Sequence, residues 1–459
     1  MPGHRYTVYG KDYDSMADLV RKHHVKLASH DAKSVPQGGY RVDILAEDEE
    51  VAKLAAAGYR AERRADPEVG GRARQAELRA ALQMTGPANA LHPTAVNRYL
   101  LVEEVETAVA ALVTANQKIT ELVTLPNKTW EGRTCTAIRI GAPATGGSAR
   151  PGVYFLGGVH AREWGSPDIL INFMTRLLQA YQQKTGIALA AKQFSAGDIQ
   201  TIIEQRSLYI FPQANPDGRH FSMTADPDWR KNRRPAPPGH AQSECIGVDI
   251  NRNYDFLWDF TKHFAPDAPV QNSTDPCDFQ VYIGPAAASE PETQNAVWML
   301  DQYPDIRYFI DLHSYSEDIL YTWGDDDDQS TQPEMNFRNL AYDNKRGIAN
   351  DSAYREYIES ADKAAIVKLA TQMKDAIAAV RNRQYSVIQS LNLYPTAGTS
   401  DDYAYSRHIV DSARSKVYSY TIEWGSENNP TPFHPPYAEM SQIILEVTAG
   451  LLEFCLRVT

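Results

Sequence analysis

The sequence predicts an α/β protein whose mixed, mostly parallel central sheet is flanked by helices and preceded by a small α+β open-sandwich domain. From about Leu91 to the C-terminus, long predicted helices alternate with apolar strands, which is typical of a sheet covered by helices. Before Arg64 a strand-helix-strand pattern occurs twice, which predicts the small domain. A third observation bears on function: three apolar runs in the larger part are closely followed by ionisable residues.

The individual elements follow from these patterns. In the N-terminal part, strands are predicted at 5–9, 25–29, 40–46 and 59–64, and helices at 15–24 and 49–57. In the larger part, apolar β-rich runs predict strands at 134–140, 153–159, 206–211, 307–312 and 418–422. Longer segments predict helices at 102–116, 167–182, 290–301, 361–380 and 437–456.

The domain boundary is indicated by a change in composition. Gly70-Gly71, an Arg/Ala/Glu-rich piece at 72–84 and the break Thr85-Gly86-Pro87 indicate a connecting helix. A chain of 459 residues also exceeds one usual core. We therefore expect an N-terminal α+β domain at 1–65, a connecting helix and linker at 66–92, and a main domain at 93–459.

The three apolar runs of the larger part lead to potential metal ligands. The run at 153–159 precedes His160 and Glu163, the run at 307–312 precedes His313, and the run at 418–422 precedes Glu423. Ligands bind beyond the carboxyl ends of strands in open α/β sheets, so we expect these side chains to converge in one crevice. His160, Glu163 and His313 would hold one Zn²⁺, and Glu423 is then the candidate base for a zinc-activated water.

The alternative is that these histidines are ordinary surface groups, because a single His-x-x-Glu is a weak motif. That spacing occurs once among the 12 histidines of the chain. The recurrence of ionisable residues after apolar runs favours the metal site, since a structural histidine has no reason to recur there.

Charge and hydropathy narrow the function classes. The chain carries 46 basic and 58 acidic side chains, a net charge of -12, which argues against nucleic-acid binding and mildly favours cationic substrates. No apolar stretch approaches the ~20 residues that span a bilayer, and the first residues lack the regions of a signal peptide. We therefore expect no membrane partner. The acidic run at 325–328 is interpreted as a solvated loop rather than a calcium site.

From about Asn97 onward, the sequence resembles the zinc metallocarboxypeptidases of the pancreatic A/B type. The resemblance rests on several ordered segments, of which His160-Ala161-Arg162-Glu163 is one. The others are Trp130-Glu131-Gly132-Arg133, Asn215-Pro216-Asp217-Gly218, Trp229-Arg230-Lys231-Asn232-Arg233, Gly247-Val248-Asp249-Ile250-Asn251-Arg252-Asn253, His313-Ser314-Tyr315, Leu393-Tyr394-Pro395-Thr396-Ala397-Gly398 and Thr421-Ile422-Glu423.

The resemblance implies release of C-terminal residues from peptides and proteins by a monomeric zinc enzyme, and it assigns roles to further residues. Arg230 would stabilise the oxyanion of the transition state, a task that a guanidinium suits. Asn251 and Arg252 would bind the terminal carboxylate of the substrate, over which Tyr394 would close. Asp249 would orient His160. Arg162 and Ser314 would contribute to the substrate path. Outside the resemblance, Asp249, Arg162 and Arg230 could be members of routine ion pairs.

The pocket for the terminal side chain resembles the B-type pattern, because Asp401 stands where B-type enzymes place their pocket acid. A buried carboxylate there would favour C-terminal Lys or Arg. The alternatives are a helix-capping or solvated Asp401, with broad or hydrophobic A-type specificity. Two further alternatives are a peptidoglycan peptidase or amidase on the same scaffold and a catalytically silent binding module. The complete set of site residues favours the carboxypeptidase.

The four cysteines allow three pairings. The resemblance implies a disulfide between Cys245 and Cys277, and Cys135 and Cys455 are then expected to be buried thiols. A disulfide favours an extracellular location, whereas the absence of a signal peptide favours the cytosol; we expect the former.

The N-terminal domain resembles the family's activation segment. It would shield the active site until cleavage in the connecting helix, at Arg72, Arg74 or Arg79. The competing interpretation is a permanent accessory domain.

Overall fold

The fold was analysed in a computed structural model of the chain. It describes residues 4–12, 15–16, 18–19, 22–23, 25–27, 33–35, 38–64, 67–85, 96–143, 150–240, 242–392 and 394–459. The predicted helix at 15–24 and strand at 25–29 lie partly outside the described residues.

The N-terminal part is a small antiparallel sheet with a helix against it. Its strands are β1 (His4–Gly10), β2 (Lys26–Leu27), β3 (Lys33–Ser34), β4 (Tyr40–Ala46) and β5 (Arg60–Arg63), in the order β2-β4-β1-β5 with β3 paired to β4. Helix α1 (Asp48–Ala56) carries acidic residues in its first turn, where the helix dipole favours them. Val8, Leu19, Ile44 and Leu54 are among the side chains of its own hydrophobic cluster.

The main part is an eight-stranded mixed sheet in the order β16-β13-β17-β12-β8-β11-β7-β6. Its centre, β11-β8-β12-β17, is parallel, and the outer pairs β11-β7, β6-β7 and β13-β17 are antiparallel. The fold class predicted from the sequence is therefore confirmed. The strands of this part are β6 (Thr120–Lys128), β7 (Thr134–Ile140), β8 (Gly152–Gly157), β9 (Ile187–Leu189), β10 (Lys192–Phe194), β11 (Ser207–Phe211), β12 (Ile306–His313), β13 (Asp318–Tyr321), β14 (Asp328–Gln329), β15 (Glu356–Tyr357), β16 (Ser386–Gln389) and β17 (Tyr418–Glu423).

Helices cover this sheet and connect its strands. One contiguous hydrophobic cluster fills the main part, and it includes Leu78 of the connecting helix α2. Helix α2 therefore packs on the main part. The helices from α2 onward are α2 (Pro67–Thr85), α3 (Val102–Ala115), α4 (Gly165–Gln183), α5 (Ala196–Gln205), α6 (Pro216–Thr224), α7 (Phe260–His263), α8 (Pro291–Gln302), α9 (Ser360–Arg381), α10 (Ser400–Val410) and α11 (Tyr437–Arg457), with 3-10 turns at Ser243–Cys245, Ile250–Arg252, Leu340–Tyr342 and Ser390–Asn392.

The register of the parallel strands brings the ends of three strands together. Leu312 pairs with Gly157 across β12 and β8, and His313 pairs with Glu423 across β12 and β17. The carboxyl ends of β8, β12 and β17 therefore lie side by side at one edge of the sheet. Within the described ranges, no helix is long and apolar enough to cross a bilayer.

The sequence patterns did not reveal several elements. Strands β6, β13 and β16 lie on or near the sheet edges, and β6 contains Pro126, which is tolerated at an edge but weakens the strand pattern. The expectation of a solvated loop at 325–328 is wrong for Asp325 and Asp326, which are both fully buried. Their surroundings are described below.

Candidate metal centre and active site

The chain between β8 and α4 delivers two of the predicted metal ligands. Strand β8 is buried over its whole length and ends at Gly157. Gly158 has a φ of +66°, and a Cβ there would lie 3.3 Å from the Cα of Gln213, so the position suits only glycine. This sharp turn directs His160 over the edge of the sheet, and Glu163 follows just before α4 begins.

His160, Glu163 and His313 place three potential ligand atoms against one another, and all three side chains are buried. The Nδ1 atom of His160 lies 2.8 Å from Oε1 of Glu163 and 2.9 Å from Nδ1 of His313. The Nδ1 atom of His313 lies 3.1 Å from Oε2 of Glu163. These are the residues predicted to bind the metal.

This donor set fits zinc. Two imidazole nitrogens and one carboxylate oxygen are a ligand set of catalytic Zn²⁺ sites, in which a fourth position stays open. Bonds of about 2.0–2.1 Å in tetrahedral geometry place neighbouring ligand atoms roughly 3.3 Å apart, close to the observed spacing. Without a cation or proton between them, two facing imidazole nitrogens would repel.

The other nitrogen of each histidine faces an aspartate. Nε2 of His160 lies 3.1 Å from Oδ1 of Asp249, and Nε2 of His313 lies 3.0 Å from Oδ2 of Asp311. A carboxylate in this place fixes the ring orientation and leaves Nδ1 free for the metal. Asp249 was predicted by resemblance, whereas Asp311 was not predicted. Asp311 lies two residues before His313, so both side chains are on one face of β12, and this spacing could have indicated their contact.

The pKa values of His160, Glu163 and His313 depend on burial and on the charges of their neighbours. Burial and Arg230 lower the pKa of His160. Burial opposes ionisation of Glu163, yet His160 and His313 hold its pKa well below the usual range. Burial also opposes protonation of His313, but Asp311 and Glu163 raise its pKa well above its ordinary value. An ionised Glu163 is the form that binds a metal, and a proton on His313 would be released when the metal binds.

Glu423 is the free carboxyl beside this centre. It is buried at the end of β17, and its Oε2 atom has no hydrogen-bond partner among the described residues. Burial, with Glu163 and Asp318 adding to it and His313 opposing, raises the pKa of Glu423 to about 8. A buried carboxyl with an unpaired oxygen beside the candidate metal ligands is placed to accept a proton.

The polar side chains that are predicted to contact the substrate make the following hydrogen bonds. Arg230 is buried and donates from Nη2 to Oδ2 of Asp249 at 2.8 Å. Arg252 donates to the hydroxyl of Tyr394 at 3.2 Å, while Asn251 accepts from the backbone of Ser400 at 2.8 Å.

Ser314 and Arg162 are sequence neighbours of the candidate zinc ligands. The backbone N–H of Ser314 donates to Glu163 at 3.2 Å, so this residue fixes the position of a candidate metal ligand. Arg162 reaches away from the ligands, towards Asp228 at 3.2 Å and the ring of Phe433.

Gly324, Ser390, Thr396 and Asp401 lie close together, and we call this cluster the terminal pocket because the resemblance predicts that Asp401 faces the terminal side chain of the substrate. Asp401 is buried in the first turn of α10 and accepts a hydrogen bond from Ser390 at 3.1 Å. A Cβ on Gly324 would lie 2.7 Å from Oγ1 of Thr396. Asp401 is thus not a solvated residue, and it does not cap α10, whose N-cap is Thr399.

The cysteines agree with the predicted pairing. Cys245 and Cys277 form a disulfide, and Cys135 and Cys455 are free and buried. Burial raises the pKa of both thiols, which keeps them protonated and unreactive.

The curated proteins that are similar to this chain include carboxypeptidases. Carboxypeptidase B of Astacus astacus is 28% identical over 302 residues, covering 65% of this chain and 78% of that protein. Carboxypeptidase B of Homo sapiens is 27% identical over 297 residues, covering 64% of this chain and 55% of that protein. The match thus spans little more than half the length of the human relative.

Solved structures share the fold along nearly the whole chain. The carboxypeptidase A from Helicoverpa armigera has a TM-score of 0.72 at 19% identity, covering 99% of this chain and 97% of that one. The structure of thrombin activatable fibrinolysis inhibitor has a TM-score of 0.68 at 18% identity, covering 99% and 98%. Both cover the N-terminal part as well as the main part.

The family model for zinc carboxypeptidases matches residues 105–450, which contain all the residues of the candidate metal centre. The resemblance found in the sequence is therefore confirmed, and with it the expectation of a zinc enzyme. The chain belongs to the zinc carboxypeptidase family of hydrolases.

Proposed function

We propose that the protein is a zinc-dependent exopeptidase that hydrolyses the C-terminal peptide bond of peptides and proteins. The observation that carries this proposal is the convergence of His160, Glu163 and His313 beside the free carboxyl of Glu423. Arg252 and Tyr394 add an anchor for a terminal carboxylate, which an endopeptidase or a silent binding module would not need.

Zn²⁺ held by His160, Glu163 and His313 would polarise the scissile carbonyl and lower the pKa of a water molecule. Glu423 takes the proton of the attacking water and later gives it to the leaving amine. Arg230 donates hydrogen bonds to the oxyanion as negative charge develops on it, and Asp249 holds the guanidinium in place. Arg252 exchanges its contact with Tyr394 for the carboxylate of the substrate.

The preferred terminal residue is proposed to be Lys or Arg. Asp401 is buried next to Ser390, and a buried carboxylate gains most from an incoming cation. The net charge of -12 also favours basic substrates. If Asp401 did not face the terminal side chain, specificity would instead be broad or hydrophobic.

The N-terminal domain is proposed to cover the active site until it is removed. Arg5 on β1 donates to the hydroxyl of Tyr315, two residues after His313, at 2.7 Å. The same guanidinium pairs with Asp43, and together with Arg162 and Asp228 it lines a small cavity between the two parts. An arginine in this place would obstruct a peptide that approaches the metal centre.

Cleavage in helix α2 would release this cover. Arg72 and Arg79 are exposed on α2, whereas Arg74 pairs with Glu77 at 2.6 Å. Limited trypsin treatment should raise activity as the N-terminal fragment dissociates. No gain on release of residues before Leu91 would contradict this part of the proposal and favour a permanent accessory domain.

We also infer that the protein acts as an extracellular monomer. The Cys245–Cys277 disulfide is stable in an oxidising compartment, and every proposed site residue comes from one chain.

The direct test of the proposed function is hydrolysis of blocked dipeptides ending in Arg, Lys, Leu, Phe or Glu, with and without a chelator. We expect chelator-sensitive release of the terminal residue, fastest for Arg and Lys. Activity that is indifferent to removal of zinc would overturn the mechanism, and equal rates for Arg and Leu would overturn only the specificity.

A further inference from the structure

The acidic run after Gly324 reaches behind the terminal pocket. Asp325 is fully buried, and within the described residues neither of its carboxyl oxygens is paired with a basic side chain at hydrogen-bonding distance. A buried carboxyl without such a partner is costly, so its protonation and that of its neighbours are sensitive to any added charge.

Asp325 interacts with two further buried acids, Asp402 and Glu356. The two carboxyl oxygens of Asp402 accept from the backbone N–H of Gly324 at 3.2 and 3.0 Å. The carboxyl of Glu356 lies within hydrogen-bonding reach of Asp325. Tyr354 donates to Glu356 at 2.6 Å. Asp402, Asp325 and Glu356 thus form a line of carboxyls that starts next to Asp401, and we call it the acid line.

The acid line has too few cations to ionise completely. The cation that faces it within the described part of the chain is Arg346, which is fully buried and also donates to Asp343 at 3.0 Å. Asp326 adds a further buried carboxyl, bonded by the N–H of Gly347 at 2.7 Å. The groups that face the line are therefore Asp326, Arg346, Tyr354 and Asp401.

Burial raises the pKa values of these acids. Burial, with Asp401 and Asp325 adding to it, raises the pKa of Asp402 well above its usual range. Burial raises the pKa of Asp325 to about 6, with Arg346 opposing, and raises that of Glu356 well above normal, with Asp325 adding to it. Burial thus favours the protonated form of Asp402, and an ionised Asp325 favours it further.

We propose that the acid line is a proton-linked second layer of the terminal pocket: a guanidinium or ammonium that binds beside Asp401 expels one proton from Asp402. This inference rests on the proposed preference for basic termini. Asp325 acts as a positioning residue, because its charge keeps Asp402 protonated until the cation arrives. The preference for a basic terminus should then strengthen as pH rises.

The first test compares blocked dipeptides that end in arginine or citrulline, which have nearly the same shape and differ in charge. Because zinc chemistry affects both substrates, the ratio of their kcat/KM values isolates the pocket. For release of one proton, this ratio should rise by up to about tenfold per pH unit over part of the range above the pKa of Asp325, which is about 6. A basic preference that is constant with pH would contradict the inference alone, whereas the absence of any basic preference would contradict the proposed specificity.

The second test uses Asp325→Asn, with Asp327→Asn as the matched control. Asp327 belongs to the same run, but its carboxyl accepts from the backbone N–H of Asn350, a bond that asparagine retains. The slope of the arginine-to-citrulline ratio against pH should fall by half or more in Asp325→Asn and stay unchanged in Asp327→Asn. Equal slopes in both variants would overturn the role of Asp325.

A third measurement needs no variant and holds if Asp325→Asn does not fold. Binding of free arginine and free citrulline to the zinc-loaded protein is followed by calorimetry in two buffers of different ionisation enthalpy. Arginine should release up to one more proton than citrulline. Equal proton release would overturn the inference.

Discussion

The metal centre and the terminal pocket are both built from buried ionisable side chains, but their charges are balanced differently. In the centre, each acid faces a cation or an imidazole: Glu163 lies between His160 and His313, and Asp249 accepts from Arg230. In the pocket, Asp401 leads to further acids, with Arg346 as the cation on the far side. The neighbours of the centre hold its ligands in place for a metal, whereas the excess negative charge of the pocket favours a cationic side chain.

The largest effect expected is from Glu423→Gln, which keeps the size of the side chain but removes the base. We expect kcat to fall by about 10²–10⁴-fold with zinc content unchanged, because Glu423 transfers a proton and does not bind the metal. Steady-state kinetics and metal analysis check this, with Glu439→Gln, whose carboxylate pairs with Arg381, as a control. Loss of zinc from the variant would instead make Glu423 a ligand.

The second-largest effect is expected from Asp401→Ala, which tests the terminal pocket. The ratio of kcat/KM for substrates ending in Arg to those ending in Leu should fall by roughly 10²-fold or more, because a buried charge loses its partner. Asp411→Ala is the control, since Asp411 is exposed just after the same helix. An unchanged ratio would show that Asp401 does not set specificity.

A smaller effect is expected from Asp311→Asn, which disturbs the metal centre without removing a ligand. The affinity for zinc should fall by about 10–100-fold, because the ring of His313 loses the carboxylate that orients it. A competition titration with a chelator measures this. Asp305→Asn, which replaces the acceptor of the Tyr209 hydroxyl near the start of the same strand, should leave the affinity unchanged. Equal affinities in the two variants would argue against a role for Asp311.

The smallest effect concerns Glu292, a buried acid that neither site uses. Burial is the main cause that raises its pKa to about 8, although Asn232 donates to it at 2.9 Å. An acid whose folded pKa is raised binds more protons in the native state, so its cost appears as pH rises from about 4.5 towards 8. Glu292→Gln should therefore raise the free energy of unfolding at pH 8 but little at pH 5. Urea denaturation at both values checks this, and equal changes at both would contradict the assignment.

The candidate metal centre could be predicted from the sequence because its residues follow apolar strands that form the parallel core. His160, His313 and Glu423 could be placed at one edge of the sheet from this pattern alone. The polar neighbours were harder to predict, since Asp311 lies inside an apolar run and its spacing of two residues from His313 is a weak signal of their contact. The edge strands β6 and β16 lacked the apolar pattern because each is only partly buried.

The acid line could not be predicted from the sequence. Asp325 and Glu356 come from distant points of a segment with little regular structure, and only the folded chain brings them together. The run at 325–328 predicted solvent exposure because adjacent acids are usually solvated. In the structure, Arg346 and the backbone N–H of Gly347 compensate part of that charge inside the protein.

The proposed function depends on zinc bound by His160, Glu163 and His313. The most direct measurement is a zinc titration of chelator-treated protein, followed by hydrolysis of a blocked dipeptide ending in arginine. Activity should return linearly and reach its limit at one Zn²⁺ per chain, and His313→Ala should bind no zinc at the same concentrations. Full activity in the chelated protein, or unchanged zinc binding by His313→Ala, would contradict the account.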